Sequence, residues 1–437
     1  MKPIHIGILG AGTVGGGTFT VLKRNSEEIA RRAGRKIVVK MIADKDLQKV
    51  RELAGNEAVI TDNAHEVTCS PDIDIVVELI GGQTIAKELI LEAIAHGKHV
   101  VTANKALLAN HGTEIFAIAR EKGVIVAFEA AVAGGIPIIK ALREGLTANR
   151  ITWIAGIING TANFILSEMR EKGLSFNDVL GQAQKLGYAE ADPTYDIEGI
   201  DAAHKITLMS AIAFGIPVQF DKVYTEGITK LTGEDIRYAE ELGYRIKLLG
   251  ITKRVAKGIE LRVHPTLIPN KRLIANVEGV MNAVVVKGDA VGATLYYGAG
   301  AGAEPTASSV IADLVDVTRM QTADPMYRVP TLSFQPDLLS DIPVISMDDV
   351  ETSYYLRMQV VDKPGVMAEI TRILADHHIS ISAMIQKEAS DDSDKVSIIM
   401  LTHITIEKSV NAAIKCIESL PVVTQQVFRI RIEELNK

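Results

Sequence analysis

The sequence predicts an α/β protein: an open, doubly wound parallel sheet, then a mixed α+β region, then a small βαββαβ unit. Three observations carry this. Short, wholly apolar runs alternate with helical periodicity through the first third of the chain. A Gly-x-Gly-x-x-Gly run directly follows the first apolar run. Near the C-terminal end, after an aperiodic stretch containing prolines, strand-like and helix-like patterns recur in the order β-α-β-β-α-β.

The elements can be justified in order. Ile4–Leu9 reads as a short buried strand, and residues 13–32 as one long helix. Ile37–Ala43 is rich in β-branched residues and reads as a second strand; residues 74–79, His99–Thr102 and 124–128 read as three more. Helical patterns at 87–96 and 105–122 stop at Gly97 and Gly123. Strands that are apolar throughout and separated by helices imply a parallel sheet covered on both faces. From about residue 131 the alternation ends. Helices are expected at 161–172, 175–186, 201–214 and 306–316, and strands at Ile151–Ile157, 259–265 and 283–287. Residues 330–346 read as a linker. Beyond it come strands at 354–360, 379–386, Lys395–Thr402 and 422–432, helices at 366–377 and 408–419, and a turn at 391–394. This order is the ferredoxin-like split βαβ. The expected domains are 1–130 with a return segment at 303–330, then 131–302, a linker at 331–351, and 352–437.

Bulk properties exclude several function classes. Of 437 residues, 47% are hydrophobic and 23% charged, an ordinary globular balance. The net charge is −7 and basic residues form no long run, which argues against a nucleic-acid partner. The two cysteines, Cys69 and Cys416, exclude a disulfide framework and favour a reducing, cytoplasmic setting. The glycine-rich stretch after the first apolar run argues against a signal peptide. No apolar stretch approaches the roughly 20 residues of a spanning helix, so no membrane association is expected.

The run Gly10-Ala11-Gly12-Thr13-Val14-Gly15 lies between a strand and a helix, the context that a dinucleotide-binding, Rossmann-like motif requires. The first glycine permits a tight turn, the second lets the backbone approach a pyrophosphate, and the third lets helix and strand pack closely. The helix N-terminus offers free N–H groups and partial positive charge to phosphate. Asp44 follows the second strand, where an acid accepts from the adenosine ribose, although it lies further on than the usual spacing of about 20 residues. An acid there favours NAD; Lys45 beside it favours the 2′-phosphate of NADP. The two signals conflict, with a slight balance toward NADP. Gly81 and the segment 102–105 lie at the carboxyl ends of later strands, where ligands bind in such sheets. Lys105 opens a helix, against the dipole, which marks it as a group that meets an anionic cofactor or a reacting oxygen.

The run from Gly187 to Lys205 concentrates Glu190, Asp192, Asp196, Glu198, Asp201, His204 and Lys205 ahead of an apolar helix. Asp201 and Lys205 share a helix face at i,i+4. A partly desolvated lysine among carboxylates can exchange a proton with a substrate hydroxyl, and the carboxylates can hold a substrate ammonium. Patterning alone leaves open a solvated surface loop with an ordinary ion pair.

That run, with Val101-Thr102-Ala103-Asn104-Lys105-Ala106-Leu107 and Gly156-Ile157-Ile158-Asn159-Gly160-Thr161-Ala162-Asn163, resembles the signatures of the homoserine dehydrogenases, in order over about residues 1–330. The resemblance implies reversible NAD(P)-dependent oxidation of L-homoserine to L-aspartate 4-semialdehyde, on the path to threonine and methionine. It implies Lys205 as proton donor and acceptor at the C4 oxygen, with Lys105 assisting near nicotinamide and substrate. Glu190, Asp196 and Asp201 would hold the substrate ammonium or orient the lysines. It also implies a monovalent cation, sodium, held by the Glu129 side chain and the main-chain oxygens of Val132, Gly134 and Ile136, and a late glycine loop, 298–302, whose Gly302 closes on the cofactor. Val360-Val361-Asp362-Lys363-Pro364-Gly365-Val366-Met367 resembles the start of an ACT domain, which implies edge-to-edge pairing and an amino-acid effector, L-threonine in this family. A homodimer or homotetramer is expected. The competing expectations are another dehydrogenase on the same fold, or a sensor without catalysis. A thiol-dependent aldehyde dehydrogenase is disfavoured because neither cysteine falls in a catalytic segment.

Overall fold

The computed structural model describes residues 2–387 and 394–435; positions 391–393 of the expected turn lie outside the described residues. The chain divides into two compact units. One comprises Met1–Gly160, Asp201–Val223 and Val280–Ile342; the other comprises Thr161–Ile200, Tyr224–Gly279 and Pro343–Lys437.

The first unit holds six parallel strands: β1 (Ile4–Leu9), β2 (Ile37–Ala43), β3 (Val59–Thr61), β4 (Ile75–Glu78), β5 (His99–Thr102) and β6 (Val126–Ala127). Their spatial order is β3-β2-β1-β4-β5-β6, so the winding reverses between β1 and β4, which pair in register Ile6↔Ile75 to Leu9↔Glu78. A ligand crevice forms at the carboxyl ends of strands at such a point. Both faces are covered: every residue of β4 and β5 is buried. Ile6, Ile8, Val77 and Val101 share one core with Ala307, Val310 and Leu314 of the helix Ala303–Met320, each buried Ile, Val or Leu contributing about 1.5–3 kcal/mol. The late helix therefore completes the nucleotide sheet. The same unit carries an antiparallel group in which Met281–Gly288 pairs with both Ile151–Ile157 and Gly292–Ala299.

Two local expectations are corrected here. The single helix expected over 13–32 is two, Thr13–Arg24 and Ser26–Ala33. Asn25 leaves helical geometry at φ −107° and ψ 19°, and Glu27 and Glu28 suit the fresh N-terminus that follows. The sheet has six strands rather than five. The extra one, Val59–Thr61, is a three-residue edge strand flanked by the helices Leu47–Ala54 and Ala64–Cys69, too short to leave a periodic signal.

The second unit contains the helices Phe176–Lys185 and Gly233–Glu241 and a long hairpin, Tyr244–Val255 with Gly258–Pro269. Only part of that hairpin's second strand was legible as a strand pattern. The βαββαβ domain follows: strands Glu351–Val361, Ile381–Gln386, Lys395–Thr402 and Phe428–Ile432 with helices Val366–Asp376 and Glu407–Glu418. It has a core of its own, including Leu356, Met358, Ile370, Leu374, Met400 and Ile417. Its last strand also pairs in parallel with the hairpin, Thr266↔Arg431 and Leu267↔Ile432. The end of the stretch read as a linker is fastened as well: Ile259 N–H donates to the Pro343 carbonyl and Ile345 N–H to the Ile259 carbonyl, each at 2.9 Å. Among the described residues no helix is long and apolar enough to cross a membrane.

Candidate active site

The glycine run forms the turn from β1 into the helix Thr13–Arg24. Gly10 adopts φ +92°, where a side chain is strained, and a Cβ on Gly15 would stand 1.9 Å from the Gly10 carbonyl oxygen. Nothing lies within 4 Å of the direction a Gly12 side chain would take, and Gly12 caps the helix without a side-chain hydrogen bond. Thr13 and Val14 form the first turn, and Gly12 and Thr13 are exposed at the sheet's carboxyl edge with no side chain capping the helix. These residues fit a dinucleotide pyrophosphate. Asp44 is engaged by this loop: Oδ2 accepts from Ala11 N–H at 2.6 Å and Oδ1 from Asp46 N–H at 2.9 Å. Lys45 is exposed.

Beyond β4 and β5 a second network orders the same edge. The buried Glu78 accepts from the N–H groups of Ile80 and Gly81 at 3.0 and 3.1 Å, and from the Thr102 hydroxyl at 2.7 Å. Asn104 caps the helix Lys105–Glu121 by accepting from Leu107 N–H at 3.1 Å, and its amide donates to the Gly82 carbonyl at 2.6 Å. Lys105 is thereby presented from the first position of its helix. Glu78 and Asn104 received no role in the sequence reading. A carboxylate closing an apolar strand was the available signal for Glu78.

The helix Ile200–Phe214 is buried at every residue from Asp201 onward, which rules out the solvated-loop alternative for Asp201 and Lys205. Lys205 Nζ donates to Asp201 Oδ2 at 2.6 Å and to the Ile158 carbonyl at 2.7 Å. Lys105 Nζ lies 3.1 Å from Asp201 Oδ1, and Asn159 Nδ2 donates to Oδ2 at 2.9 Å. One carboxylate thus holds two ammonium groups that come from separate segments of the unit's sequence. Burial opposes charge on Asp201, but Lys205 and Lys105 outweigh it and hold the carboxyl well below the usual range. Side-chain exposure separates the lysines: 11% for Lys205 against 38% for Lys105. Burial lowers His204 to a pKa of about 4; Asp201 opposes this and the two lysines reinforce it. Asn159 sits inside the motif at 156–163, and no local pattern marks it as a partner of Asp201. Glu190 and Asp196 belong to the other unit. Glu190 is exposed, and Asp196 is half-buried in the short helix Thr194–Ile197.

Glu129 is buried in a 3-10 turn and accepts from Ile139 N–H and Lys140 N–H, each at 2.8 Å. Asp313 accepts from Glu129 N–H at 2.7 Å. Burial raises Glu129 to about 7, with Asp313 adding to the rise and the two N–H groups and Lys140 opposing it. Burial likewise raises Asp313 to about 6, against Lys140. Lys140 also pairs with Asp316, and the buried Arg143 acts on Asp313, so three carboxylates face two cations here. The Gly134 carbonyl accepts from the Ser309 hydroxyl at 2.6 Å and the Ile136 carbonyl from Ile138 N–H at 2.8 Å, leaving each oxygen a second lone pair. Val132 is fully buried beside them. An all-oxygen donor set with excess negative charge fits a hard monovalent cation. Gly302 caps the helix Ala303–Met320 at φ +120°.

Residues 137–315 match the homoserine dehydrogenase family, residues 10–129 the homoserine dehydrogenase NAD binding domain, and residues 354–422 the ACT domain. The homoserine dehydrogenase of Pseudomonas aeruginosa is 64% identical over 436 residues, covering 100% of both chains, and that of Bacillus subtilis is 38% identical over 99% of both. The crystal structure of a homoserine dehydrogenase from Thiobacillus denitrificans superposes with a TM-score of 0.96 at 68% identity, over 100% of this chain and 99% of that one. A hyperthermophilic archaeal homoserine dehydrogenase in complex with NADPH superposes at 0.62 with 27% identity, over 72% of this chain and 98% of the other. A Rossmann-like sheet, two lysines on one buried carboxylate and a full-length match converge: this chain belongs to the homoserine dehydrogenase family of NAD(P)-dependent oxidoreductases, with a C-terminal ACT domain.

Proposed function

We propose that the chain interconverts L-homoserine and L-aspartate 4-semialdehyde with Lys205 as the proton carrier at the C4 oxygen and Lys105 assisting. The observation that carries this reading is the hold of Asp201 on both amines, 2.6 Å to Lys205 and 3.1 Å to Lys105. When bound, the nicotinamide supplies the hydride acceptor or donor. The chain's own residues handle the proton and the developing charge on oxygen. In the reductive direction the Lys205 ammonium gives its proton to the carbonyl oxygen; in the oxidative direction the amine, having first released its proton to solvent, takes one from the hydroxyl. Because both Asp201 oxygens are engaged with lysines, its role is to orient them. Glu190 and Asp196 are then the groups for the substrate ammonium.

Gly10, Gly12, Thr13, Val14, Gly15, Gly81 and Lys105 are proposed cofactor-binding residues, with Gly302 on the closing loop. For the nucleotide we propose NADP. Lys45 is exposed beside Asp44, and an archaeal relative is known in complex with NADPH. Sodium is the proposed ion for Glu129, Val132, Gly134 and Ile136, where it would offset the surplus buried charge. We assign residues 1–130 with 303–330 to nucleotide binding, 131–302 to catalysis and oligomerisation, and 352–437 to sensing. The effector is L-threonine, the assembly a homodimer or homotetramer, and the location cytoplasmic.

Lys205→Ala tests the central assignment. Turnover of homoserine with NADP⁺ is expected to fall by about 10²–10⁴ while NADPH still binds, as read by fluorescence titration. Full activity in that variant would refute the assignment.

A further inference from the structure

The unit that holds the acidic loop and the ACT domain contains a continuous polar connection between them. Arg431, on the domain's last strand, is 1% exposed. Its Nε and Nη2 donate to Glu407 at 2.9 and 2.6 Å, Nη1 donates to Glu226 Oε2 at 2.8 Å, and Nη2 donates to the Tyr224 hydroxyl at 3.1 Å. The Tyr224 hydroxyl in turn donates to Glu226 at 2.8 Å. Glu407 opens an ACT helix and also accepts from the Tyr354 hydroxyl at 2.7 Å. A buried guanidinium shared by two carboxylates ties these segments together, because releasing either one strands charge in a low-dielectric interior.

Glu226 leads straight to the acidic loop. Its N–H donates to the Val263 carbonyl at 2.8 Å. Two residues on, Ile228 N–H donates to the Ile197 carbonyl at 2.8 Å, and the Thr229 hydroxyl donates to Glu198 Oε1 at 3.1 Å. Between them Gly227 lies so close that a Cβ would stand 2.4 Å from the Ile197 oxygen. Ile197 closes the short helix that carries Asp196. The path from Arg431 to that helix therefore crosses one ion pair and three residues of backbone in direct contact with the loop.

We propose that Glu226 and Arg431 are positioning residues for the substrate carboxylate Asp196, acting through this connection. The inference rests on the assignment of Asp196 to the substrate ammonium. Neither residue touches substrate. They set where residues 194–198 stand, so their loss weakens homoserine binding without removing the proton carrier.

The test uses the full chain with Glu226→Gln, Arg431→Lys, the double variant, and Asp196→Asn as reference. Glu226→Gln and Arg431→Lys are expected to raise KM for homoserine by about fivefold or more. Their kcat should stay within about twofold, the signature of lost ground-state binding. NADPH affinity should be unchanged, and amide hydrogen exchange should quicken over residues 194–200. The double variant should show less than the product of the single effects, because both break one interaction. If Asp196→Asn leaves KM unaltered, the underlying substrate assignment is wrong. If Asp196→Asn raises KM while the other two variants alter neither KM nor exchange, the connection itself is refuted. A joint fall in kcat and NADPH affinity in Glu226→Gln and Arg431→Lys would also refute it, as the mark of general structural damage.

Discussion

Asp201 shows how one residue's surroundings set the chemistry of its neighbours. A carboxylate on a buried helix is costly alone, yet here it is held ionised by two lysines and an amide. Asp201→Asn keeps the shape and removes the charge that fixes both amines. The expected outcome in steady-state assays is a fall in kcat of about 10²-fold with NADPH affinity retained; unchanged kcat would mean that the lysines are placed by other contacts. His204 makes a pH prediction. Buried, it protonates only near a pKa of about 4, whereas an ordinary imidazole does so near 6.5. The unfolded chain therefore binds the proton first as pH falls, and stability is lost between about 6.5 and 4. Glu129 and Asp313, raised to about 7 and 6, act in the opposite sense, so the informative quantity is a difference. The thermal midpoint of the parent should drop more steeply from pH 7 to 4.5 than that of His204→Phe. Parallel curves would show that the imidazole is not held neutral.

At the scale of elements, the turns after β4 and β5 act as one device. Asn104 serves both the helix Lys105–Glu121, through Leu107, and the turn after β4, through Gly82. Asn104→Ala loses an N-cap, a cost of about 1 kcal/mol, and frees the Gly81–Gly82 turn. We expect a modest drop in thermal midpoint together with a raised KM for the nucleotide; a stability change with unaltered nucleotide KM would make Asn104 merely a cap. The helix starts after β1 and β5 were legible in the sequence because glycines, caps and apolar periodicity are local signals, whereas the helix after β4 starts at Thr84, three residues before the expected 87. Glu78 was not legible, because its buried partner Thr102 comes from another strand, and only the Ile80 and Gly81 N–H groups are its neighbours along the chain. The break at Asn25 was missed for a related reason: apolar spacing runs on across it while the backbone does not.

At the scale of the whole molecule, the ACT domain is sewn into the second unit by buried charge as well as by strand pairing. Asp235, fully buried, accepts from the Tyr355 hydroxyl at 3.0 Å and from Arg357 at 2.6 Å, while capping the helix Gly233–Glu241 through Thr232. Asp235→Ala would leave Arg357 without that partner. Loss of one member of a buried pair costs about 3–5 kcal/mol, so calorimetry should show a marked loss of stability, with NADPH affinity preserved because the nucleotide loop belongs to the first unit. An undiminished thermal midpoint would show that strand pairing alone holds the domain.

What the sequence by itself determined is what depends on neighbours along the chain: the alternation that makes a covered parallel sheet, the glycine turn, the i,i+4 pair of Asp201 and Lys205, and the βαββαβ order. Only the tertiary structure decided which distant groups meet. It brought Lys105 and Asn159 to Asp201, Asp313 to Glu129, and Arg431 to Glu226. The reason is physical. Periodicity and turn chemistry act over a few residues, whereas a buried ion pair forms wherever the folded path excludes water and draws opposite charges within reach, and no local pattern records that path.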